Sequence, residues 1–428
     1  MTDTQTSTLS PEEAPLGAPS QQVESAAQTA ARVGLTVPAS RLGRSVAIIA
    51  VLLSAFVLVA VAVAAVLPAE WVASKETSSG ETVGTPFALT PASAQPVDER
   101  LRFGDDLDGV AQQFPAEGDV YFVTVTEPAQ SVLSWFVGRD EPAIQFRTFV
   151  EKFGVQTPQQ RQTFALESMR TSEQEAQFVA LQRLGYDVMV EKGDVLIQDM
   201  VCLEGTEDGS ECLRWSPSDD VLDPGDRIIE VDGEPIAIVD DLARLLEGLS
   251  PGDVVTMRID RPEVGELTVD VELTESPTEP GRTIVGFFPF DTARVELPFD
   301  LDIDTGSIGG PSAGLAFTLT LIDALSEGEL TGGVDVAVTG EIELDGSVRA
   351  IGGLRQKASA VAQAGVDVFL VPASQSEADV AAAREAAGDE VEIVLVDTLD
   401  EALAALESRG GDPLPPAEVL AAAREAGA

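Results

Sequence analysis

The sequence predicts an α+β chain of more than one domain, carried behind a single N-terminal transmembrane helix. Three observations predict it. Val46 to Leu67 is an uncharged apolar run of 22 residues; residues 186–278 hold short alternating strands punctuated by Pro-Gly-Asp and Asp-Gly turns; and residues 282–407 mix strands with amphipathic helices. At 428 residues the chain has room for two or three cores. Its formal charge of -47 excludes nucleic acid as a partner, because binding a phosphate backbone relies on clustered Lys and Arg.

The chain reads in order as follows. Residues 1–45 are a polar stretch, rich in Thr, Ser, Pro, Ala and Gln up to residue 40, and are expected to be a disordered cytoplasmic tail. Residues 46–67 as a helix span roughly 33 Å, the thickness of a bilayer core. Arg32, Arg41 and Arg44 precede that run while Glu70, Lys75 and Glu76 follow it. The positive-inside bias therefore sets the N-terminus in the cytoplasm and the rest outside the cell. A cleaved signal peptide is the alternative, but the run is longer than such segments require.

Residues 68–99, rich in Ser, Thr, Gly and Pro from 74 to 95, read as a linker. In the mixed region 100–185, GDVYFVTVTEP supplies a strand with Tyr121, Val123 and Val125 alternating against Phe122 and Thr124. SMRTSEQEAQFVALQRLG supplies a helix with Ala176, Val179 and Ala180 near one face, a capping-box spacing at Ser172 and Glu175, and a stop at Gly185. Cys202 and Cys212, with nine residues between them in a polar Gly-containing loop, suit a disulfide in an oxidising compartment; two free thiols are the alternative. With only these two cysteines and no histidine, no zinc site is expected.

Beyond the loop, LDPGDRIIEVDGEPI gives a turn, a strand and an Asp232-Gly233 turn, and Asp240 can cap a helix carrying Leu242, Leu245 and Leu246. VVTMRIDR and ELTVDVELTE follow as alternating strands. The order turn, strand, Asp-Gly turn, helix, Gly-Asp, strand, strand resembles a PDZ domain in its bacterial form over 186–278. That resemblance implies capture of an extended peptide by strand addition at a sheet edge. The Cys202–Cys212 loop interrupts the pattern just before the first turn.

From 282 to 407 the expected order is VELPFDLDID as a strand, a Gly-rich turn and a helix from Pro311. The strands of VDVAVTGEIELDGSVRAI, the helix of LRQKASAVAQAG, the buried strand VDVFLVP and the helix of TLDEALAALE then follow. Residues 408–428 are a C-terminal tail. With no histidine in the chain, a Ser-His-Asp or Cys-His unit is impossible, so a serine nucleophile would need another base, and lysine is the usual substitute. The chain has only four lysines: Lys75, Lys152, Lys192 and Lys357. Ser312, in IGGPSAGLAF, falls in the first turn of its expected helix, where the amides of Gly310, Ser312 and Ala313 are candidate oxyanion donors. Lys357 falls on or beside the apolar stripe of Leu354, Ala358, Val361 and Ala362, where burial would lower its pKa. Taken singly, each residue has an ordinary structural explanation: a helix cap for the serine, a snorkelling side chain for the lysine.

Taken together, Pro311-Ser312-Ala313-Gly314, Thr339-Gly340-Glu341-Ile342 and Ile351-Gly352-Gly353-Leu354-Arg355-Gln356-Lys357 resemble the Ser-Lys proteolytic domain of the Lon family, a fold of the ribosomal S5 domain 2 type. With the anchor and the PDZ-like module, the whole arrangement resembles the membrane-anchored, PDZ-containing Lon-like proteases of Gram-positive bacteria. The resemblance implies an extracellular serine endopeptidase with Ser312 as nucleophile, Lys357 as general base and Thr339 as a supporting hydroxyl. It implies peptide or protein substrates, no cofactor or metal, and leaves a homo-oligomer open. Gly309 stands where ATP-dependent members often carry Asp, so an acidic orienter is absent or comes from Asp302 or Asp304. No G-x-x-x-x-G-K-[ST] occurs, which implies action without ATP. The competing reading is a catalytically silent PDZ/Lon-like scaffold or chaperone at the cell surface.

Overall fold

A computed structural model describes residues 41–76, 82–104, 107, 110–153, 158–205, 212–262 and 264–427. The chain divides into two compact units, residues 1–64 and 65–428. Of the tail expected over 1–45, residues 1–40 lie outside the described residues, and Arg41–Ser45 already belong to helix α1 (Arg41–Val66). The apolar side chains of α1 face outward, with Phe56 and Leu58 each 70% exposed. Among the described residues it is the one helix long and apolar enough to cross a membrane.

The second unit is built on two six-stranded sheets. The first uses β1 (Phe87–Pro96), β2 (Val120–Thr126) and β3 (Gln145–Arg147), reached through helix α2 (Val132–Gly138). Helices α3 (Phe149–Phe153) and α4 (Pro158–Arg183) then lead to the second sheet. That sheet consists of β4 (Met189–Met200), β5 (Arg227–Val231), β6 (Val254–Arg261), β7 (Gly265–Glu272) and β8 (Phe287–Glu296), with a short strand Glu234–Pro235 beside β5. Helix α5 (Val239–Leu245) covers it. The chain then returns to the first sheet through α6 (Gly314–Leu325), β9 (Val336–Val338), α7 (Leu354–Ala364), β10 (Val368–Pro372), α8 (Glu377–Ala387) and β11 (Glu392–Val396). Helices α9 (Leu399–Glu407) and α10 (Ala417–Gly427) close it.

The first sheet runs β11-β10-β9-β2-β1-β3, parallel from β11 to β2 and antiparallel beyond. Alternation of side chains along its strands makes two cores. Phe122, Val338 and Leu370 join α4 and α6 on one face, while Val123, Ala337 and Phe369 join α7 and α8 on the other. Of the region 100–185, β2 and β3 belong to this sheet and α4 packs on it, whereas Leu101–Phe103 pairs with Leu301–Ile303 apart from it; the β4–β8 sheet is an insertion between α4 and α6.

Several boundaries move. The segment read as a linker contains β1, because its partners β2 and β3 lie far along the chain; Pro91 is tolerated at the register shift between Pro91 and Ala94. The inserted sheet runs on to Glu296 rather than ending at 278, since β8 pairs with β4 from Phe287↔Met200 to Glu296↔Met189. VELPFDLDID is not one strand: it holds the end of β8 and a separate strand Leu301–Ile303 that pairs with Leu101–Phe103. Of the expected tail 408–428, residues 408–427 are tied to the fold, since Leu414 and Leu420 pack against the main core and Arg424 lies over the Tyr186 ring at 3.3 Å. The residue that closes the turn into α5 is Asp241, not Asp240: its Oδ2 accepts from the amides of Ala237 and Ile238. Cys202 and Cys212 form a disulfide.

Helix α6 is the centre of the main core. Eleven of its twelve residues are buried, and the Phe317 ring meets Phe122 at 6.0 Å between centroids. Phe317→Ala should lower unfolding stability by about 3–5 kcal/mol, the usual cost of emptying an aromatic core position. Denaturant titration reads this directly; a loss below ~1 kcal/mol would contradict the central place given to α6.

Candidate active site

The three segments singled out from sequence meet at the end of the parallel strands. Thr339 directly follows β9, Lys357 lies in the N-terminal part of α7, and Ser312 sits in the turn that leads into α6. Helix α6 starts at Gly314, so Ser312 stands two residues before the helix rather than in its first turn.

Lys357 Nζ is 2.6 Å from Ser312 Oγ and 2.9 Å from Thr339 Oγ1. Thr339 Oγ1 in turn donates to the Ser312 carbonyl at 3.0 Å. This last bond uses the only proton of the threonine hydroxyl, so its lone pairs are left to accept from Lys357. One hydrogen of the amine is thereby directed to Thr339, and the nitrogen lone pair of the neutral amine can face the Ser312 hydroxyl.

Lys357 is only 2% exposed. Burial drives its pKa down to about 7. Among the described residues the amine finds hydroxyls but no carboxylate at hydrogen-bond distance, so no opposite charge holds the proton on. Its place near the N-terminus of α7, where the helix dipole disfavours a cation, acts in the same direction.

The serine turn is fixed from both sides. Ser312 O also accepts from the Gly340 amide at 3.0 Å, and the Leu315 amide donates to Gly340 O at 3.1 Å, which locks the turn to the chain leaving β9. From the opposite side, the Gly310 amide donates to Ala165 O at 2.7 Å and Ser172 Oγ donates to Pro311 O at 2.9 Å. Both partners are on α4. Gly310 adopts φ +97°, open to glycine without strain, and at Gly314 a Cβ would stand 2.6 Å from Ser172 Oγ.

These contacts sort the expected donors. The Gly310 amide is committed to Ala165 and is not available to an oxyanion in this conformation. The Ser312 and Ala313 amides donate to no backbone carbonyl outside regular helix and strand bonding among the described residues. Neither proposed acidic orienter reaches the pair: Asp302 and Asp304 are exposed, and Asp304 lies 3.9 Å from Arg102 instead.

Ser172, which holds the serine turn, is the residue the sequence reading placed wrongly. Helix α4 begins at Pro158, so Ser172 is mid-helix and fully buried, not a cap. The signal was present: Ser172 lies four residues before Ala176 and seven before Val179, on the apolar face. Glu175, read from sequence as the capping-box partner of Ser172, is mid-helix as well. Burial, followed by repulsion from Glu341 and Glu343, raises its pKa to about 8, so it stays protonated beside the strand that follows Thr339.

Residues 301–408 match the Lon protease (S16) C-terminal proteolytic domain. Ser312, Thr339 and Lys357 all fall inside the match. Lon protease 1 of Sorangium cellulosum is 33% identical over 153 residues, which is 33% of this chain and 18% of that protein. Lon protease of Clostridioides difficile is 38% identical over 125 residues, 28% of this chain and 16% of that protein. The chain thus spans less than one fifth of the length of these curated Lon relatives. Among solved structures, the PDZ domain of the SdrC-like protein of Listeria monocytogenes is 22% identical, with 22% of this chain and 86% of that one covered at a TM-score of 0.16.

Lys357→Met tests the desolvation of the amine independently of any activity. Between about pH 7 and 10.5 the unfolded chain holds a proton that the folded lysine has released, so stability contributed at this position rises with pH across that window. The penalty is full below about 7, on the order of 5 kcal/mol before the lost hydrogen bonds are counted. The variant should therefore melt higher than the parent at pH 6, with the gain fading towards pH 10. A variant less stable than the parent at every pH would refute the desolvated amine.

Proposed function

We propose that this protein is a membrane-tethered, extracytoplasmic, ATP-independent serine endopeptidase that works through Ser312 and Lys357. The observation that carries the reading is the 2.6 Å contact between the two side chains around a lysine that burial holds near pKa 7. Neutral Lys357 takes the Ser312 proton as Oγ attacks a peptide carbonyl, and the C–N bond breaks as the lysine ammonium returns that proton to the leaving amine. Water then repeats the sequence on the acyl-serine ester. Thr339 holds the amine in line, and the Ser312 and Ala313 amides are the donors assigned to the oxyanion.

The scaffold reading gains nothing from this geometry. A silent domain has no use for a desolvated lysine that costs folding energy, and an apolar side chain such as Met would fill the position without that cost. Peptide engagement by the inserted module is supported by a groove of about 920 Å³ between α5 and the strand edge, lined by Trp215, Leu242, Leu246, Phe287 and Phe288. Membrane tethering is supported by α1, the helix long and apolar enough to cross a bilayer. The Cys202–Cys212 disulfide suits an oxidising side of that membrane.

Ser312→Ala and Lys357→Ala should each reduce hydrolysis of an unfolded protein substrate by about a thousandfold or more, without ATP in the assay. The parent rate should rise with pH through about 7, as Lys357 loses its proton, and then level off. Hydrolysis that survives both substitutions, or that requires ATP, would sink the proposal.

A further inference from the structure

The cleft that holds Ser312 and Lys357, about 690 Å³, has three cations and a single carboxylate among its other lining residues. The carboxylate is Glu127, just past the end of β2 and only 12% exposed. Arg147, on β3, donates to its Oε1 at 2.6 Å, and Arg161, on α4, donates to its Oε2 at 3.1 Å. Lys152, on α3, donates to the Glu127 backbone carbonyl and stands 4.1 Å from the centre of the Phe87 ring.

Both oxygens of Glu127 are therefore engaged, and one negative charge faces three positive ones. The neighbouring Glu151 does not correct the balance, because it is paired with Lys75 and accepts from the Thr148 amide. Two surplus positive charges remain beside the reactive serine, in a chain whose formal charge is -47. The three cations tie β3, α3 and α4 to Glu127 at the end of β2; a surplus of cations in a partly dry cleft nonetheless costs energy unless an anion completes it. Burial, with the charge of Arg161, lowers the Lys152 pKa against the pull of Glu127. Arg147 and Arg161 are 25% and 39% exposed, so an entering group can reach them.

We infer that this cationic wall selects the substrate, by binding a carboxylate of the peptide chain that lies across Ser312. The inference rests on the reading of the cleft as the substrate site, and it deepens that reading by naming the chemistry selected. The carboxylate comes from an Asp or Glu side chain or from the C-terminus of the bound chain, and one experiment separates these sources from each other and from hydrolysis itself.

Binding is measured on the full-length Ser312→Ala protein in lipid nanodiscs, by fluorescence anisotropy with labelled decapeptides. The peptides differ only by Glu or Gln at a central position and by a free or amidated C-terminus. The Glu peptide should bind about tenfold more tightly than the Gln peptide at low salt, and adding Arg161→Gln should remove most of that ratio. Arg349→Gln, an exposed arginine paired with Glu343 away from the cleft, should leave it intact. If amidation, rather than Glu→Gln, abolishes an Arg161-dependent preference, the C-terminus is the carboxylate recognised. Equal binding of all peptides, or a preference that Arg161→Gln does not change, overturns the inference. Loss of hydrolysis in the protein that retains Ser312 would count against the peptidase proposal alone, since the binding assay does not depend on turnover.

Discussion

The burial of one amine organises this protein. Lys357 is out of water and close to two hydroxyls, and among the described residues no carboxylate shares its hydrogen bonds. A surface lysine near pKa 10.4 would be an ammonium at neutral pH and useless as a base. Bringing it to about 7 takes a layer of protein on each side: the β2–β9 strands beneath it, α7 carrying it, and the serine turn over it. The two-sided sheet is thus the means by which the lysine stays dry.

Precision at the serine comes from a different part of the chain. Ala165 and Ser172 on α4 hold the turn 310–311, yet the whole β4–β8 module intervenes between them in sequence. The fold around Ser312 and Lys357 is therefore assembled from two pieces, and residues 301–408 alone lack the α4 side of the turn that holds Ser312. Glu175, kept neutral on the same helix, lets α4 pack beside Glu341 and Glu343 without repulsion.

Much of the site was legible from residue types, because a histidine-free chain restricts the choice of base and because Ser312, Thr339 and Lys357 each stand in a local motif. Local patterns also gave β2, α7 and β10. What was not legible depended on partners far away in sequence. Strand β1 looked like a linker because it lies within the Ser-, Thr-, Gly- and Pro-rich stretch 74–95, and it is a strand only because β2 and β3 flank it. Ser172 looked like a cap because its spacing to Glu175 fits one; the helix had in fact begun at Pro158. The Gly310 amide looked free until its acceptor on α4 was placed. The cationic wall draws on four elements, and no window of sequence contains it.

The central claim is that Lys357 is a neutral amine at working pH. With four lysines in the chain, a sample labelled with ¹³C at lysine Cε gives a spectrum simple enough to assign by substitution. The resonance lost in Lys357→Met should titrate with a midpoint near 7 in the folded parent protein. A midpoint near 10, the value of a solvated lysine, would contradict the account.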